Sequence, residues 1–410
     1  MADKDGRVVI VGAGHGGGTA AATLRQFGWT GPITLIGDEP LVPYHRPPLS
    51  KAWLKGEADS ESLALRPESF YAEQDIKLRL DTTVEWIDRE RREVALDGDK
   101  RIAYDHLILA TGARARALPV PGADFAKVLA LRDAANADQL KEALGVGKRA
   151  VVIGGGYIGL EVAASARALG AEVTVVEREA RVLARVACET LSRFFERYHR
   201  QRGVVFEFGL GVLEVLGEDG EIAGVRLSDD RVLPADVVLV GIGGEPNVEL
   251  AKSAGLACDN GVIVDMNALT SDPHVYAIGD MTRRPLPLYG RDFRLESVPN
   301  ALEQAKQAAA HLCDRAPPPP EVPWFWSDQY DLKLQIAGLP FDVADTVVRG
   351  DPDTDKFAIF HISPDHQIQA VEAVNMPDAF LGGRQFIGNR KPVSIEKLRD
   401  LAAPMKTVGA

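Results

Sequence analysis

Two glycine-rich segments carry the spacing in this sequence that points most directly to chemistry. They share the pattern G-x-G-x-x-G: Gly12, Gly14 and Gly17 in the first, and Gly154, Gly156 and Gly159 in the second. The first glycine permits a tight turn, the second lets the backbone approach a pyrophosphate, and the third lets a helix pack closely on a strand. The free N–H groups at the helix start then face the phosphates. Each segment therefore predicts a dinucleotide site, whose contacts also include His15, Gly16, Tyr157 and Ile158.

Acidic residues follow each glycine segment at the distance where a ribose is bound. Asp38 or Glu39 ends the second predicted strand after the first segment, and Glu177 does so after the second. A carboxylate at this place binds a ribose 2′-hydroxyl and repels a 2′-phosphate, which favours NADH over NADPH. The arginines that follow Glu177 weaken this preference, because they could accommodate a phosphate: Arg178, Arg181 and Arg185.

The elements around the two segments indicate an internal duplication. Each unit has a short apolar strand before its glycines, a helix-forming stretch after them, and a second strand ending in an acid. Residues 104–112 in the first unit resemble residues 235–243 in the second, and residues 270–280 predict one more strand that ends in Gly279 and Asp280. A helix begins near Pro299, which suits a first helical turn. Two dinucleotide sites on one chain favour a resident flavin and an exchanging nicotinamide.

Composition limits the other functions that the chain could have. The 410 residues carry a net charge of −12, so a nucleic-acid partner is not expected. No apolar run is long enough to span a bilayer and the first residues do not resemble a signal peptide, which predicts a cytoplasmic protein. Cys188, Cys258 and Cys313 form no C-x-x-C pair, and no histidine spacing predicts a metal site.

Taken together, the motifs resemble those of the FAD-dependent ferredoxin reductases that serve bacterial oxygenases. The resemblance covers essentially the whole chain and includes both glycine segments. It also includes residues 46–51 (RPPLSK), 110–112 (ATG), 279–280 (GD), 296–301 (ESVPNA) and 324–330 (WFWSDQY). It implies a glutathione-reductase-like α/β fold with two Rossmann-like domains and a small C-terminal α+β domain. The implied boundaries are residues 1–115 and 246–321 for FAD, 116–245 for NAD and 322–410 for the C-terminal domain.

The resemblance also implies roles for individual residues. The first glycine segment would hold FAD and the second NADH. Lys51 would lie against the flavin, paired with Glu161 in the first turn of the second Rossmann helix, and would stabilise the negative charge that hydride transfer creates. Asp280 would bind a ribitol hydroxyl, and Val298 would face the pyrimidine edge of the flavin, where the helix dipole favours negative charge. The remaining predicted cofactor contacts are Arg46, Val84, Thr111, Gly112, Arg132, Gly243, Gly279, Glu296, Ser297 and Trp326.

The predicted reaction takes a hydride from NADH onto FAD and passes single electrons to a two-iron ferredoxin. A rubredoxin reductase, a redox-sensing flavoprotein of the apoptosis-inducing-factor type and an NADH oxidase remain alternatives. An acidic ferredoxin would need a local basic surface, for which Arg384, Arg390 and Lys391 are candidates. The predicted oligomeric state is a monomer or a weak dimer.

Overall fold

The computed structural model describes residues 4–219 and 221–410. The chain forms two compact units, each assembled from separated stretches of sequence. The first comprises the residues up to His45, Ser60–Arg114 and Glu245–Trp324, and the second comprises Arg46–Asp59, Ala115–Gly244 and Phe325–Ala410. None of the helices in the described ranges has both the length and the apolar composition that crossing a membrane requires.

The strands and helices follow one another along the chain. The first are β1 (Val8–Val11), α1 (His15–Gln26), β2 (Ile33–Ile36), α2 (Ser60–Leu63), α3 (Glu68–Glu73), β3 (Ile76–Arg79), β4 (Val84–Asp88), β5 (Glu93–Leu96), β6 (Arg101–Ala103), β7 (His106–Leu109), β8 (Ala113–Ala115) and β9 (Val128–Leu129). Next come α4 (Ala134–Ala143), β10 (Arg149–Ile153), α5 (Tyr157–Ala168), β11 (Glu172–Glu177), α6 (Glu189–Gln201), β12 (Val204–Phe208), β13 (Val212–Glu218), β14 (Glu221–Leu227), β15 (Val232–Pro234), β16 (Val237–Val240) and β17 (Gly244–Pro246). The last are α7 (Glu249–Ser253), β18 (Val262–Ile263), β19 (Val275–Ala277), β20 (Thr282–Leu286), β21 (Arg291–Phe293), α8 (Val298–Leu312), β22 (Trp324–Gln329), β23 (Leu332–Gly338), β24 (Asp345–Asp351), β25 (Lys356–Ile362), β26 (Ile368–Val374), α9 (Pro377–Asn389) and α10 (Ile395–Arg399).

A parallel sheet with strand order β19-β7-β1-β2-β3 forms the centre of the first unit. Val8 on β1 lies between Ile33 on β2 and His106 on β7. The strand β1 is apolar and buried along its whole length, as expected of a parallel strand covered on both faces. Helices α1 and α8 contribute alanines to the core on one face, and the antiparallel sheet β4-β5-β6 contributes Val94 and Leu96 on the other.

The second unit repeats this plan with the parallel order β12-β11-β10-β16-β9. Strand β10 pairs with β11 and β16, just as β1 pairs with β2 and β7. A three-stranded antiparallel sheet, β13-β14-β15, again precedes the strand equivalent to β7. The predicted duplication is therefore confirmed. The duplication also includes small antiparallel sheets, which the sequence analysis did not predict.

The C-terminal residues add a five-stranded sheet, in the order β22-β23-β26-β25-β24, and the helix α9. Within the second unit this sheet shares a core with α6, where the Phe194 and Phe357 rings lie edge to face with centroids 4.9 Å apart. The predicted fold class, two Rossmann-like sheets with a C-terminal α+β region, is confirmed.

The predicted domain boundaries differ from the two units in their detail. The prediction placed residues 46–59 in the FAD domain, whereas this segment packs within the second unit. The second unit also contains both the predicted NAD domain and most of the predicted C-terminal domain. The finer division into three domains stays a prediction.

Candidate functional site

The first glycine segment forms a cradle that tolerates no side chain at two of its positions. Gly12 has a φ of +111°, and a Cβ there would lie 2.2 Å from the carbonyl oxygen of Ala110. A Cβ on Gly17 would lie 1.9 Å from the carbonyl oxygen of Gly12. Gly14 caps α1 and has no side chain to bond the first-turn N–H groups, so these can bind phosphate oxygens. The segment therefore fits a dinucleotide pyrophosphate.

The two acids after β2 lie next to this cradle. A Cβ on Gly37 would come within 2.5 Å of the Ala13 Cβ, so the turn that carries the acids directly adjoins the glycine segment. Asp38 is exposed, and the Glu39 carboxylate accepts a 2.5 Å hydrogen bond from the Tyr44 hydroxyl. Tyr44 thus orients Glu39, and the choice between the two acids as the ribose ligand stays open.

The Thr111–Gly112 turn is held beside the same cradle. The Thr111 hydroxyl donates to the Asn247 carbonyl oxygen at 2.8 Å, and the Asn247 amide donates back to the Thr111 carbonyl oxygen at 2.9 Å. Gly112 has a φ of +64°, in the left-handed region that favours glycine. These bonds give the backbone after β7 a fixed shape at the carboxyl edge of the sheet, where ligands of α/β proteins bind.

A buried glutamine that the sequence analysis missed organises the turn at Gly279 and Asp280. The Gln304 Oε1 accepts from the Gly279 N–H at 2.8 Å and from the Asn300 amide at 3.3 Å. Ser297 caps α8 by accepting from the Asn300 N–H at 3.3 Å. Gln304 therefore ties the start of α8 to the Gly279 turn, which brings Asp280, Ser297 and Val298 together. A lone glutamine inside a helix gives no sequence signal for such a role.

Two predicted contacts in the first unit have other surroundings. The Val84 side chain is 7% exposed and packs in the core with Leu96, so any contact with a cofactor must use its backbone. Glu296 is exposed and forms an ion pair with Arg294. The Val84 side chain therefore packs in the core, and the Glu296 side chain takes part in an ion pair.

The second glycine segment has the same build. Gly154 has a φ of +105°, and a Cβ there would lie 2.4 Å from the Gly241 carbonyl oxygen. A Cβ on Gly159 would lie 2.2 Å from the Gly154 carbonyl oxygen. A Cβ on Gly156, in contrast, would have no described heavy atom within 4 Å, apart from its chain neighbours. Open space at the start of α5, where Tyr157 and Ile158 begin the helix, fits a bound pyrophosphate.

Glu177 at the end of β11 braces this segment. Its Oε2 accepts from the Gly155 N–H at 2.7 Å, and its Oε1 accepts from the Glu179 N–H at 2.9 Å. Both carboxylate oxygens keep further acceptor capacity. The carboxylate is half-buried beside the predicted dinucleotide cradle, as a ribose ligand requires.

The three nearby arginines have different environments. Arg181 donates to the carbonyl oxygens of Ala184 and Ala187, at 3.1 and 3.0 Å, and therefore holds its own loop. Arg178 and Arg185 are exposed, and the Arg185 guanidinium lies 3.8 Å from the place of a Cβ on Gly243. Arg181 is thus bonded to its own loop, whereas Arg178 and Arg185 are exposed.

Lys51 and Glu161 form an ion pair within the second unit. The Lys51 Nζ lies 2.6 Å from the Glu161 Oε2 and donates to the Pro47 carbonyl oxygen at 3.1 Å. The Glu161 side chain is 2% exposed and that of Lys51 is 20% exposed. The prediction placed Glu161 in the first turn of its helix, but α5 begins at Tyr157, so Glu161 starts the second turn. The pair leaves an ammonium group at the edge of a buried carboxylate.

Two serines that the sequence analysis did not identify complete the bonding of this carboxylate. The Ser50 hydroxyl donates to Glu161 Oε2 at 2.5 Å and accepts from the Lys51 ammonium at 3.1 Å. The Ser327 hydroxyl donates to Glu161 Oε1 at 2.6 Å. A buried ion pair is stable only if its remaining hydrogen-bonding groups are satisfied. The serines therefore fix the carboxylate that orients Lys51.

The bonded chain continues from Ser327 into the core of the second unit. The Gln329 amide donates to the Ser327 hydroxyl at 3.2 Å, and its carbonyl oxygen lies 2.8 Å from His199 Nε2. Burial lowers the pKa of His199 to about 4, so the ring is neutral near pH 7 and donates through Nε2.

The remaining predicted contacts of the second unit lie on nearby elements. The Arg46 guanidinium donates to the Arg132 carbonyl oxygen at 2.6 Å, which brings these two predicted residues together. Trp326 is half-buried on β22 and, because side chains alternate along a strand, faces away from the side on which Ser327 meets Glu161.

Comparison with known proteins finds family models that match the chain. The family model described as pyridine nucleotide-disulphide oxidoreductase matches residues 6–305, and the model described as reductase C-terminal matches residues 324–409. The matched regions contain both glycine segments and the C-terminal sheet.

Individual relatives are similar over almost their whole lengths. The chain is 50% identical to the probable ferredoxin reductase CtmF of Castellaniella defragrans, over 96% of each chain. It is 43% identical to the putidaredoxin reductase of Pseudomonas putida, over 98% of this chain and 96% of that one. Among solved structures, the covalent putidaredoxin reductase–putidaredoxin complex matches with a TM-score of 0.96 and 42% identity, over 99% of this chain and 98% of that chain.

Proposed function

This chain belongs to the pyridine nucleotide-disulphide oxidoreductase family and is a ferredoxin reductase, and we propose that it carries electrons from NADH through FAD to a two-iron ferredoxin of a bacterial oxygenase system. The observation that carries the proposal is the presence of two dinucleotide cradles on two parallel sheets of one chain. The first glycine segment would hold FAD, which would supply the chemistry of accepting two electrons as a hydride and releasing them one at a time.

The three cysteines bear on whether electrons leave the flavin through thiol groups of this chain or directly to another protein. Many family members pass electrons through a pair of cysteines, but Cys188, Cys258 and Cys313 are too far apart in sequence to form a C-x-x-C pair. The described structure keeps all three as free thiols. We therefore propose that electrons leave the flavin directly for a separate protein.

Lys51 is proposed to stabilise the negative charge that hydride transfer creates on the flavin. An ammonium group held in place before the reaction supplies this stabilisation without reorganising at the moment of transfer. Glu161 keeps the ammonium group in position, and Ser50 and Ser327 keep Glu161 in position. Ser50 and Ser327 are therefore positioning residues, which act through Glu161.

NADH is the proposed electron donor in preference to NADPH. The Glu177 carboxylate lies beside the second glycine segment, and there it would accept bonds from a ribose 2′-hydroxyl and repel a 2′-phosphate. Arg181 is bonded to its own loop and is not placed to offset that repulsion. Arg178 and Arg185 are the side chains through which residual NADPH use would occur.

The proposed partner is a two-iron ferredoxin, and the proposed location is the cytoplasm, where NADH is available as a donor. The similarity to the reductase half of a reductase–putidaredoxin complex supports this class of partner. For docking we propose the C-terminal surface that carries Arg384, Arg390 and Lys391, of which the last two are exposed. Such contacts between redox partners are small and sensitive to salt.

The experiment mixes the purified FAD-containing protein with NADH and each member of a panel of acceptors. The panel contains two-iron ferredoxins, a rubredoxin and dissolved oxygen alone. We expect NADH to bleach the flavin absorption and a ferredoxin to accept electrons fastest. Fastest transfer to rubredoxin would make the protein a rubredoxin reductase, and equal turnover with oxygen alone would make it an oxidase. A slow turnover with every acceptor would favour the redox-sensing alternative.

A further inference from the structure

Three side chains that are not part of the glycine segments meet in the second unit. Cys188 precedes α6, His361 lies on β25 and Glu372 lies on the neighbouring strand β26. One ligand atom of each, the thiol sulfur, an imidazole nitrogen and a carboxylate oxygen, lies within 4.8 Å of the other two. Cysteine, histidine and carboxylate are the three side-chain types that bind Zn²⁺.

Two of these groups are buried with polar atoms that have no hydrogen-bond partner. His361 is 5% exposed and Glu372 is 3% exposed. The His361 Nε2 and the Glu372 Oε2 are both buried and make no hydrogen bond among the described atoms. Buried polar atoms are almost always satisfied. In the described part of the chain, these two atoms have no hydrogen bond and only each other as an ion-pair partner, so they call for a group that satisfies both.

The distance between these two atoms suits a tetrahedral metal ion. The His361 Nε2 and the Glu372 Oε2 are 3.4 Å apart. Bonds of about 2.0–2.2 Å from zinc to nitrogen and oxygen, at a tetrahedral angle, place the two ligand atoms about 3.4 Å apart. The other carboxylate oxygen, Oε1, accepts from the Cys188 N–H at 3.2 Å, which orients Glu372 and brings the Cys188 backbone to the same point.

We propose that Cys188, His361 and Glu372 form a site for one Zn²⁺ ion. Coordination replaces the proton on the Cys188 sulfur, which passes to solvent, and no atom changes its oxidation state. Cys188 is half-buried, so the ion can reach the cluster from its side. A water molecule takes the fourth position, because zinc with three protein ligands keeps one open position.

Bound zinc would join the loop before α6 to the C-terminal sheet. Because an ion that binds the folded state alone stabilises it by mass action, zinc should raise the thermal midpoint of the protein. The chain gives no spacing signal for this site, since residue 188 is separated from residues 361 and 372 by most of the second half of the sequence.

The test uses the FAD-containing protein, treated with a chelator, reloaded with Zn²⁺ and freed of unbound metal by gel filtration. We expect about one zinc per chain and a higher thermal midpoint. Co²⁺ in place of Zn²⁺ should give the intense visible bands of a tetrahedral site with a sulfur ligand, at wavelengths longer than the flavin absorption. Metal content well below one per chain, or a Co²⁺ spectrum typical of six oxygen ligands, would overturn the proposal.

Variants of the ligands separate this site from binding at the surface. Cys188→Ser and His361→Gln should each weaken zinc affinity at least about tenfold. The matched controls Cys258→Ser and His366→Gln should retain wild-type affinity, since Cys258 lies in the other unit and His366 is an exposed residue near the end of the same sheet. Flavin spectra show whether each variant is folded. If a ligand variant does not fold, the Co²⁺ spectrum of the wild-type protein decides whether the site contains a sulfur ligand. Equal zinc retention in Cys188→Ser and His361→Gln would place the metal elsewhere.

Discussion

Lys51 is the residue whose chemistry the proposed reaction needs most. In the sequence it is a lysine after a Pro-Pro turn, and only the resemblance to ferredoxin reductases distinguishes it from a surface charge. The structure gives it three acceptors, the carbonyl oxygen of Pro47, the hydroxyl of Ser50 and the carboxylate of Glu161. These three bonds fix the position of the ammonium group.

Replacing Lys51 tests its role directly. Lys51→Met should retain FAD and lower the rate of hydride transfer from NADH by about 10²–10³, the usual effect of removing a group that stabilises developing negative charge. Stopped-flow measurement of flavin bleaching gives this rate. The control is Lys55→Met, because Lys55 lies in the same segment and pairs with Glu57 instead. An unchanged bleaching rate in Lys51→Met would remove Lys51 from the mechanism.

Glu177 should determine the choice between the two nicotinamide cofactors. Glu177→Ala removes a carboxylate that would repel a 2′-phosphate, so NADPH use relative to NADH should rise by roughly 1–3 kcal/mol, about 5- to 150-fold. The ratio of the two kcat/KM values is the measurement, since loss of the bond to Gly155 affects both cofactors alike. Glu179→Ala is the control. A constant ratio in Glu177→Ala would show that this acid does not bind the ribose.

The roles of residues that belong to a motif could be predicted from the sequence, and the roles of residues outside any motif could not. The glycines and the acid at the end of each second strand have fixed spacings that follow from how a pyrophosphate and a ribose are bound. Gln304 and Ser327 have no such spacing, because their partners, Gly279 and Glu161, are brought to them by the fold. Tertiary hydrogen bonds of this kind leave no local pattern.

At the scale of elements, a substitution in the turn between β10 and α5 should weaken binding of NADH without preventing folding. A Cβ on Gly156 would meet no described heavy atom within 4 Å other than its chain neighbours, so Gly156→Ala should fold and retain FAD. The methyl group would occupy the predicted pyrophosphate space, and binding of NADH should weaken by roughly 1–3 kcal/mol, about 5- to 150-fold. The KM for NADH measures this effect.

Gly145→Ala is the control for that variant, because a Cβ there also has open space but lies away from the turn. It should leave the KM unchanged. A wild-type KM in Gly156→Ala would contradict the assignment of the second glycine segment to the nicotinamide cofactor.

The packing of α6 against the strand β22 predicts a pH dependence of stability. Burial lowers the pKa of His199 to about 4, below its ordinary value of 6.5, so the unfolded chain binds more protons than the folded chain between these values. The contribution of His199 is therefore complete above about pH 6.5 and is lost as the pH falls towards 4. The loss amounts to at most about 3 kcal/mol.

Urea midpoints measured between pH 7.5 and pH 5 test this prediction. His199→Gln should reduce the fall in stability with pH, whatever its effect at pH 7.5, and His366→Gln should not, because His366 is exposed. The same slope in the wild type and in His199→Gln would show that this histidine is not responsible.

The two large sheets were predictable because their central strands are apolar runs followed by glycine. The small sheets β4-β5-β6 and β13-β14-β15 were not, because their exposed strands mix polar and apolar residues without a clear period. The segment that carries Lys51, residues 46–59, was predicted by chain order to belong to the FAD domain, and in the structure it packs within the second compact unit.

At the scale of the whole molecule, the duplication of one dinucleotide-binding plan explains why the proposed reaction can use two nucleotide cofactors. One chain contains the same dinucleotide-binding plan twice, and the C-terminal sheet shares a core with the second copy. The second copy also contains the ion pair of Lys51 and Glu161. The similarity to ferredoxin reductases extends over both copies and the C-terminal region.

The central claim is that electrons enter as a pair from NADH and leave singly to a ferredoxin. It is tested most directly by mixing a catalytic amount of the FAD-containing protein anaerobically with a limiting amount of NADH and an excess of oxidised two-iron ferredoxin. Two reduced ferredoxins should form for each NADH consumed, because each ferredoxin accepts one electron. Consumption of NADH without reduction of any ferredoxin, or no bleaching of the flavin by NADH, would contradict the account.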